Sequence, residues 1–89
     1  MTRIIYTERF LQDMEHVELQ SKQHEIYDCI DLLLSVPSLG SHRLPRAIRE
    51  EFGDTVRKMS VAPFLVIYEY MDNGDLILVH GLVHQRKAF

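Results

Sequence analysis

The spacing of apolar residues along the chain changes character twice, and each change marks a change of element. Residues 3–7, "RIIYT", are β-branched and aromatic and predict a short first strand. Phe10, Met14 and Val17 then recur at i, i+4 and i+7, the stripe of an amphipathic helix. Thr7 is placed to cap that helix and Glu8 to meet its N-terminal dipole. A second stripe follows in Ile26, Cys29, Ile30 and Leu33, extending to Leu34. At about 100° per residue, the step from Val17 to Ile26 turns the stripe to the opposite side of a straight helix. Two helices can bury both stripes against one core, so the pattern predicts a helical hairpin. Its bend falls near "LQSKQ", with Ser21 as the second N-cap. Pro37 and Gly40 close the helical region.

Residues 41–55 carry the weakest pattern. Ile48 and Phe52 fit one side of a short helix ending at Gly53, and an ordered loop fits as well. From residue 56 the period becomes that of strands. Val56–Val61, Phe64–Tyr70 and Leu76–Val83 predict three strands, with an Asn73-Gly74 turn suited to positive φ between the last two. They form an antiparallel meander, and the last two, apolar on both faces, belong at the centre of the sheet. The fold class is therefore α+β: an N-terminal strand, a helical hairpin and a three-stranded meander, within one domain spanning residues 1–89.

Composition narrows the function classes. Hydrophobic residues make up 46% and charged residues 26%, the balance of a folded globular domain. No segment has the length and apolarity of a signal peptide or a membrane span, so a cytoplasmic protein is expected. The lone Cys29 permits no internal disulfide and no thiolate zinc knuckle, and it reads as a small core residue. Net charge is −3, which argues against general affinity for nucleic acid. Residues 8–31 hold seven acids against Arg9 and Lys22, whereas Arg43, Arg46, Arg49, Arg57, Lys58, Arg86 and Lys87 follow His42. The asymmetry fits two surfaces with different partners, and equally a solvated helix face with scattered bases.

The candidate chemistry gathers near the end of the chain, "LVHGLVHQRKAF". On a strand, His80 and His84 stand roughly 13 Å apart, too far to share one metal ion. No metal and no cofactor are expected. Simple alternation puts His80 on one face with Leu78 and Leu82, as a histidine hydrogen-bonded at the sheet surface. Gly81 then leaves a gap on the other face, where a helix or partner can approach. His84 stands at the strand exit with Gln85, Arg86 and Lys87. Arg57 and Lys58 point to opposite faces of the preceding strand, so one of them occupies a face with few apolar neighbours. Such a cation contacts phosphate, pairs with a carboxylate or is simply solvated. No serine sits in a nucleophile elbow and no glycine-rich phosphate loop occurs. His16, His24 and His42 read as surface residues.

Taken together, "VRKMSVAPFLVIYEY", the Asn-Gly turn and "LILVHGLVHQRKAF" resemble the RelE/ParE superfamily of toxins from bacterial type II toxin–antitoxin modules. The resemblance rests on Arg57, on Tyr68 with Tyr70, and on His84-Gln85-Arg86 before Phe89. "PSLGSHRL" also resembles the loop after the helical hairpin in that superfamily. The resemblance implies a toxin that arrests growth, masked by a cognate antitoxin in a toxin–antitoxin hetero-oligomer. It implies one of two targets. ParE-like members poison DNA gyrase and serve plasmid stabilisation, and the His-Gln-Arg ending with the acidic net charge favours that branch. RelE-like members are ribosome-dependent endoribonucleases acting on mRNA. On that alternative, His84 transfers a proton, Arg57, Lys58 and Arg86 stabilise phosphate, and Phe89 stacks on a base. Lys87 joins Arg57, Lys58 and Phe89 as a target- or phosphate-binding residue. Phe89 lacks the hydroxyl of the RelE-like pattern. A third reading is a protein-binding domain that keeps the fold without toxicity.

Overall fold

A computed structural model describes residues 2–88. Strand β1 (Arg3–Tyr6) leads into helix α1 (Glu8–Glu15) and helix α2 (Gln20–Asp31), which tightens into a single 3-10 turn at Leu32–Leu34. Helix α3 (Arg46–Phe52) precedes strands β2 (Arg57–Val61), β3 (Phe64–Met71) and β4 (Leu76–His84), and α4 (Gln85–Ala88) follows. The sheet order is β1-β4-β3-β2. The three later strands form the expected antiparallel meander, with β3 and β4 central. β1 joins parallel to β4, which the helical hairpin makes possible by carrying the chain back across the sheet.

Thr7 caps α1 as the sequence suggests: its Oγ1 accepts the Phe10 N–H at 3.1 Å. The second cap differs from expectation. α2 starts at Gln20 behind an extended Leu19 that makes no side-chain cap bond, and Ser21 lies inside the helix. The bend is closed instead by Gln23, whose Nε2 donates to the Val17 carbonyl at 2.7 Å. Residues 46–52 adopt the helical alternative and stop at Gly53, which takes φ +92°. Asn73 and Gly74 both take positive φ, as the turn requires.

The sheet buries both faces. α1 and α2 cover one, packing Phe10, Met14, Ile26, Ile30 and Leu33 on Val66, Tyr68, Ile77, Val79 and Leu82. α3 and α4 cover part of the other, where Ile48 and Ala88 meet Val56, Leu65, Ile67 and Val83. Cys29 packs at the margin of the first layer and is half-buried. Burial and the acids Glu25 and Asp28 push its thiol above the ordinary range, which suits a packing role.

Strict alternation along β4 fails at one point. Ile67 faces Gly81 but Tyr68 faces Val79, so His80 is the extra residue of a β-bulge. The bulge keeps Gly81 on the face of His80 and sends Leu82 and His84 to the opposite one, correcting the grouping of His80 with Leu82. The gap at Gly81 therefore opens on the face of His80 and not on the other one, as alternation had placed it, and helix α3 fills it. A Cβ there would meet the Phe52 ring at 3.0 Å. His80 is hydrogen-bonded at the sheet surface, its Nε2 2.7 Å from Glu69 Oε1.

Candidate active site

β1 ends opposite Val79, so the edge of β4 beyond that point would carry unpaired backbone groups. Two side chains from the start of the helical hairpin complete it. Thr7 Oγ1 donates to the His80 carbonyl at 2.8 Å, and Asp13 Oδ2 accepts the Leu82 N–H at 3.0 Å. These bonds hold α1 beside the last residues of β4. There α1, α3 and α4 leave a cleft of about 420 Å³ between them.

The strand exit forms one wall. His84 packs edge-on against the Phe64 ring, with centroids 5.6 Å apart. Its Nδ1 accepts the Arg86 N–H at 3.1 Å, so His84 caps α4 with its ring, as Asn or Asp caps other helices. That bond places the proton of the neutral ring on Nε2 and leaves this nitrogen for other partners. Gln85 fixes the turn, its N–H donating to the Pro63 carbonyl at 2.8 Å and its amide to Ser60 Oγ at 2.9 Å. Lys87 reaches the same cleft.

Arg9, Asp13 and His16 supply the α1 side, and Ile48 and Glu51 the α3 side. Arg9 Nε lies 3.2 Å from Asp13 Oδ2, its Nη1 pairs with Glu51, and its guanidinium carbon stands 5.1 Å from the centre of the Phe52 ring. Desolvation works against the charge on Arg9, but Glu51 and Asp13 outweigh it and hold its pKa above the ordinary guanidinium value. The cleft thus joins two imidazoles, two bases and two carboxylates around an apolar floor. Such a set can bind an anion and move a proton.

The residues singled out from sequence divide. His84 and Lys87 line the cleft. Arg86 sits beside it, exposed, contributing its backbone N–H to His84. Arg57 and Lys58 do not line it. Arg57 Nη1 donates to the Gly40 carbonyl at 2.7 Å and lies within 3.3 Å of that of Ser38, with the guanidinium 5.3 Å from the Tyr70 ring centre. It braces the loop after the hairpin. Lys58 is half-buried on the opposite face of β2, and its backbone pairs with Ser41. Phe89 lies outside the described residues. His16, read as a surface residue, is exposed and also edges the cleft. Arg9, Asp13 and Glu51 were missed because they share no motif with His84, and only the packing of α1 and α3 on β4 unites them.

No protein-family model matches the chain, and neither does any curated protein sequence. Solved structures do. A chain of the intact Escherichia coli RelBE toxin–antitoxin complex superposes with a TM-score of 0.69 at 11% identity, over 94% of this chain and 96% of that one. The isolated E. coli RelE toxin gives a TM-score of 0.70 at 11% identity, over 94% and 84% of the two chains. YafQ from E. coli strain BL21(DE3) gives 0.52 at 21% identity, over 100% and 99%. The chain has the RelE-type toxin fold.

Proposed function

From the RelE-type fold we propose that this protein is the toxin of a type II toxin–antitoxin pair, a RelE-like endoribonuclease acting on mRNA at the ribosome. The observation that carries this is the whole-chain likeness to a chain of the RelBE toxin–antitoxin complex, spanning 94% of this chain. A cognate antitoxin is the natural partner on this reading. The ParE-like preference drawn from the chain ending finds no support in these neighbours, which are RelE and YafQ structures, and the RelE-like alternative takes its place.

The cleft suits the chemistry. When an RNA 2′-oxygen attacks the adjacent phosphorus it loses a proton, the departing 5′-oxygen gains one, and negative charge builds on the phosphoryl oxygens. An imidazole can carry such a proton, and cations held beside it lower the barrier. His84 takes the proton-transfer role through Nε2, and Lys87 stands near for the phosphate. Arg57 and Lys58, being occupied elsewhere or off the cleft, act at most on a longer substrate or a partner. The net charge of −3 gives no general affinity for RNA, so the substrate must be presented by a larger machine.

Induced expression tests the reading. It predicts translation arrest with cleaved mRNA, and His84→Ala should slow cleavage about 10²- to 10⁴-fold, the range of general acid–base catalysis. Gyrase-dependent DNA breaks with intact mRNA would overturn it in favour of the ParE-like branch.

A further inference from the structure

The cleft contains a cation, Arg9, that belongs to no motif of the strand exit, and its surroundings are unequal. Arg9 is held from three sides. Asp13 is fixed, because Oδ2 also accepts the Leu82 N–H and its side chain is only 21% exposed. Phe52 is fixed by its place over Gly81. Glu51 has no such anchor: its side chain is 46% exposed, and among the described residues its carboxylate meets only Arg9. An exposed ion pair contributes little and exchanges readily. The guanidinium is therefore oriented by two permanent neighbours and covered by one replaceable carboxylate. A phosphate group has the same charge and the same paired oxygens that a planar guanidinium recognises.

We propose that Arg9 is a second phosphate-binding residue of the cleft, beside Lys87, and that Glu51 is a built-in competitor which a substrate phosphate displaces. That the phosphate belongs to RNA rests on the function proposed above; the anion site itself does not. Glu51 swings out by side-chain rotation, while buried Ile48 keeps α3 in place. With Glu51 swung away, Arg9 and Lys87 outweigh Asp13, and an incoming anion takes up the positive charge that Glu51 had balanced. The pair thereby screens an otherwise acidic protein against binding stray anions weakly, and it sets the affinity for the scissile or a flanking phosphate.

The test is a titration of the whole protein with inorganic phosphate, and separately with a short 2′-O-methylated RNA that cannot be cleaved, following the Arg9 Nε–H resonance by NMR. Phosphate should shift that resonance. Glu51→Gln should tighten binding about two- to fivefold, the range in which the loss of an exposed pair is felt. Glu50→Gln removes the same charge from the same helix but from a pair with Arg46, and should leave affinity unchanged. Arg9→Gln should weaken binding about tenfold or more and cancel the gain from Glu51→Gln. Arg9→Lys, which keeps the charge but not the fork, should recover only part of it, and thermal melts of each variant verify folding. An Arg9 resonance indifferent to phosphate, or a gain from Glu51→Gln that survives Arg9→Gln, would overturn the proposal. Phosphate binding at Arg9 in a protein that cleaves no mRNA would retain this site and sink the ribonuclease reading. Cleavage by a protein whose Arg9 ignores phosphate would do the reverse.

Discussion

Tyr68 of β3 is fully buried, yet its hydroxyl makes two hydrogen bonds to the loop that follows the hairpin. It accepts the Gly40 N–H at 2.7 Å and donates to the Pro37 carbonyl at 2.8 Å. Gly40 must be glycine, since a Cβ would stand 2.7 Å from Tyr68 Cε1 and 2.8 Å from the Lys58 carbonyl oxygen. Tyr68→Phe strands both loop groups and should cost about 1–3 kcal/mol, measured by urea denaturation. Gly40→Ala should cost at least as much, because backbone and not only a side chain must move. Burial raises the Tyr68 pKa above its usual 10.0, with the Gly40 N–H and Arg57 opposing less strongly. A raised pKa stabilises the fold while the phenol is protonated in both states. That contribution is fully present below pH 10 and is lost as pH climbs through the folded-state value. Tyr68→Phe should accordingly lose less stability than the parent protein as pH rises above 10. In the sequence Tyr68 was visible only as half of a Tyr-x-Tyr pattern, because its partners lie about 30 residues away and share no spacing with it.

Elements were legible to the degree that their signals were local. The α1 cap and stripe, the Asn73-Gly74 turn and the three meander strands follow from neighbours within one or two turns, and they stand where the pattern put them. Ser21 failed as a cap because Leu19 and Gln23 settle that bend, using a carbonyl six residues back. The bulge at His80 was invisible because period-2 counting has no term for an inserted residue, and its cause is tertiary. Thr7 binds the carbonyl of His80 itself, and Asp13 binds the N–H of Leu82 two residues on. Thr7 therefore serves two elements, and Thr7→Ala should cost about 1–2 kcal/mol for the cap alone. For a domain of this length each kcal/mol corresponds to roughly 4–8 °C in Tm, readable in a thermal melt. A loss confined to fraying of α1, with the β4 amides still protected in hydrogen exchange, would show that the His80 bond adds nothing.

On the scale of the molecule, an acidic chain carries the RelE-type fold. If the ribonuclease reading holds, naked mRNA should survive concentrations of the protein that destroy the same message under translation. An in vitro translation extract with and without initiation measures this directly, and equal cleavage in both arms would contradict presentation by the ribosome. The same scale explains the two destinations of the bases. Arg57, expected with Lys58 and Arg86 to meet phosphate on the RelE-like alternative, stands on β2 at the edge of the sheet, where its guanidinium meets loop carbonyls. Arg9 came from the acidic half of the chain and looked like part of a solvated face. Once α1 is laid along β4, it stands opposite the strand exit.

The α+β class, the helical hairpin and the meander are legible in the sequence, because apolar period, turn residues and caps act over short distances. The sequence also carried the likeness to the superfamily, through residues 56–89. Tertiary packing alone set which faces the two histidines occupy, that Arg9 joins His84 and Lys87 in one cleft, and how Gly81 is filled. Those outcomes depend on a one-residue slip between strands and on helices brought together from opposite ends of the chain. No local pattern encodes either.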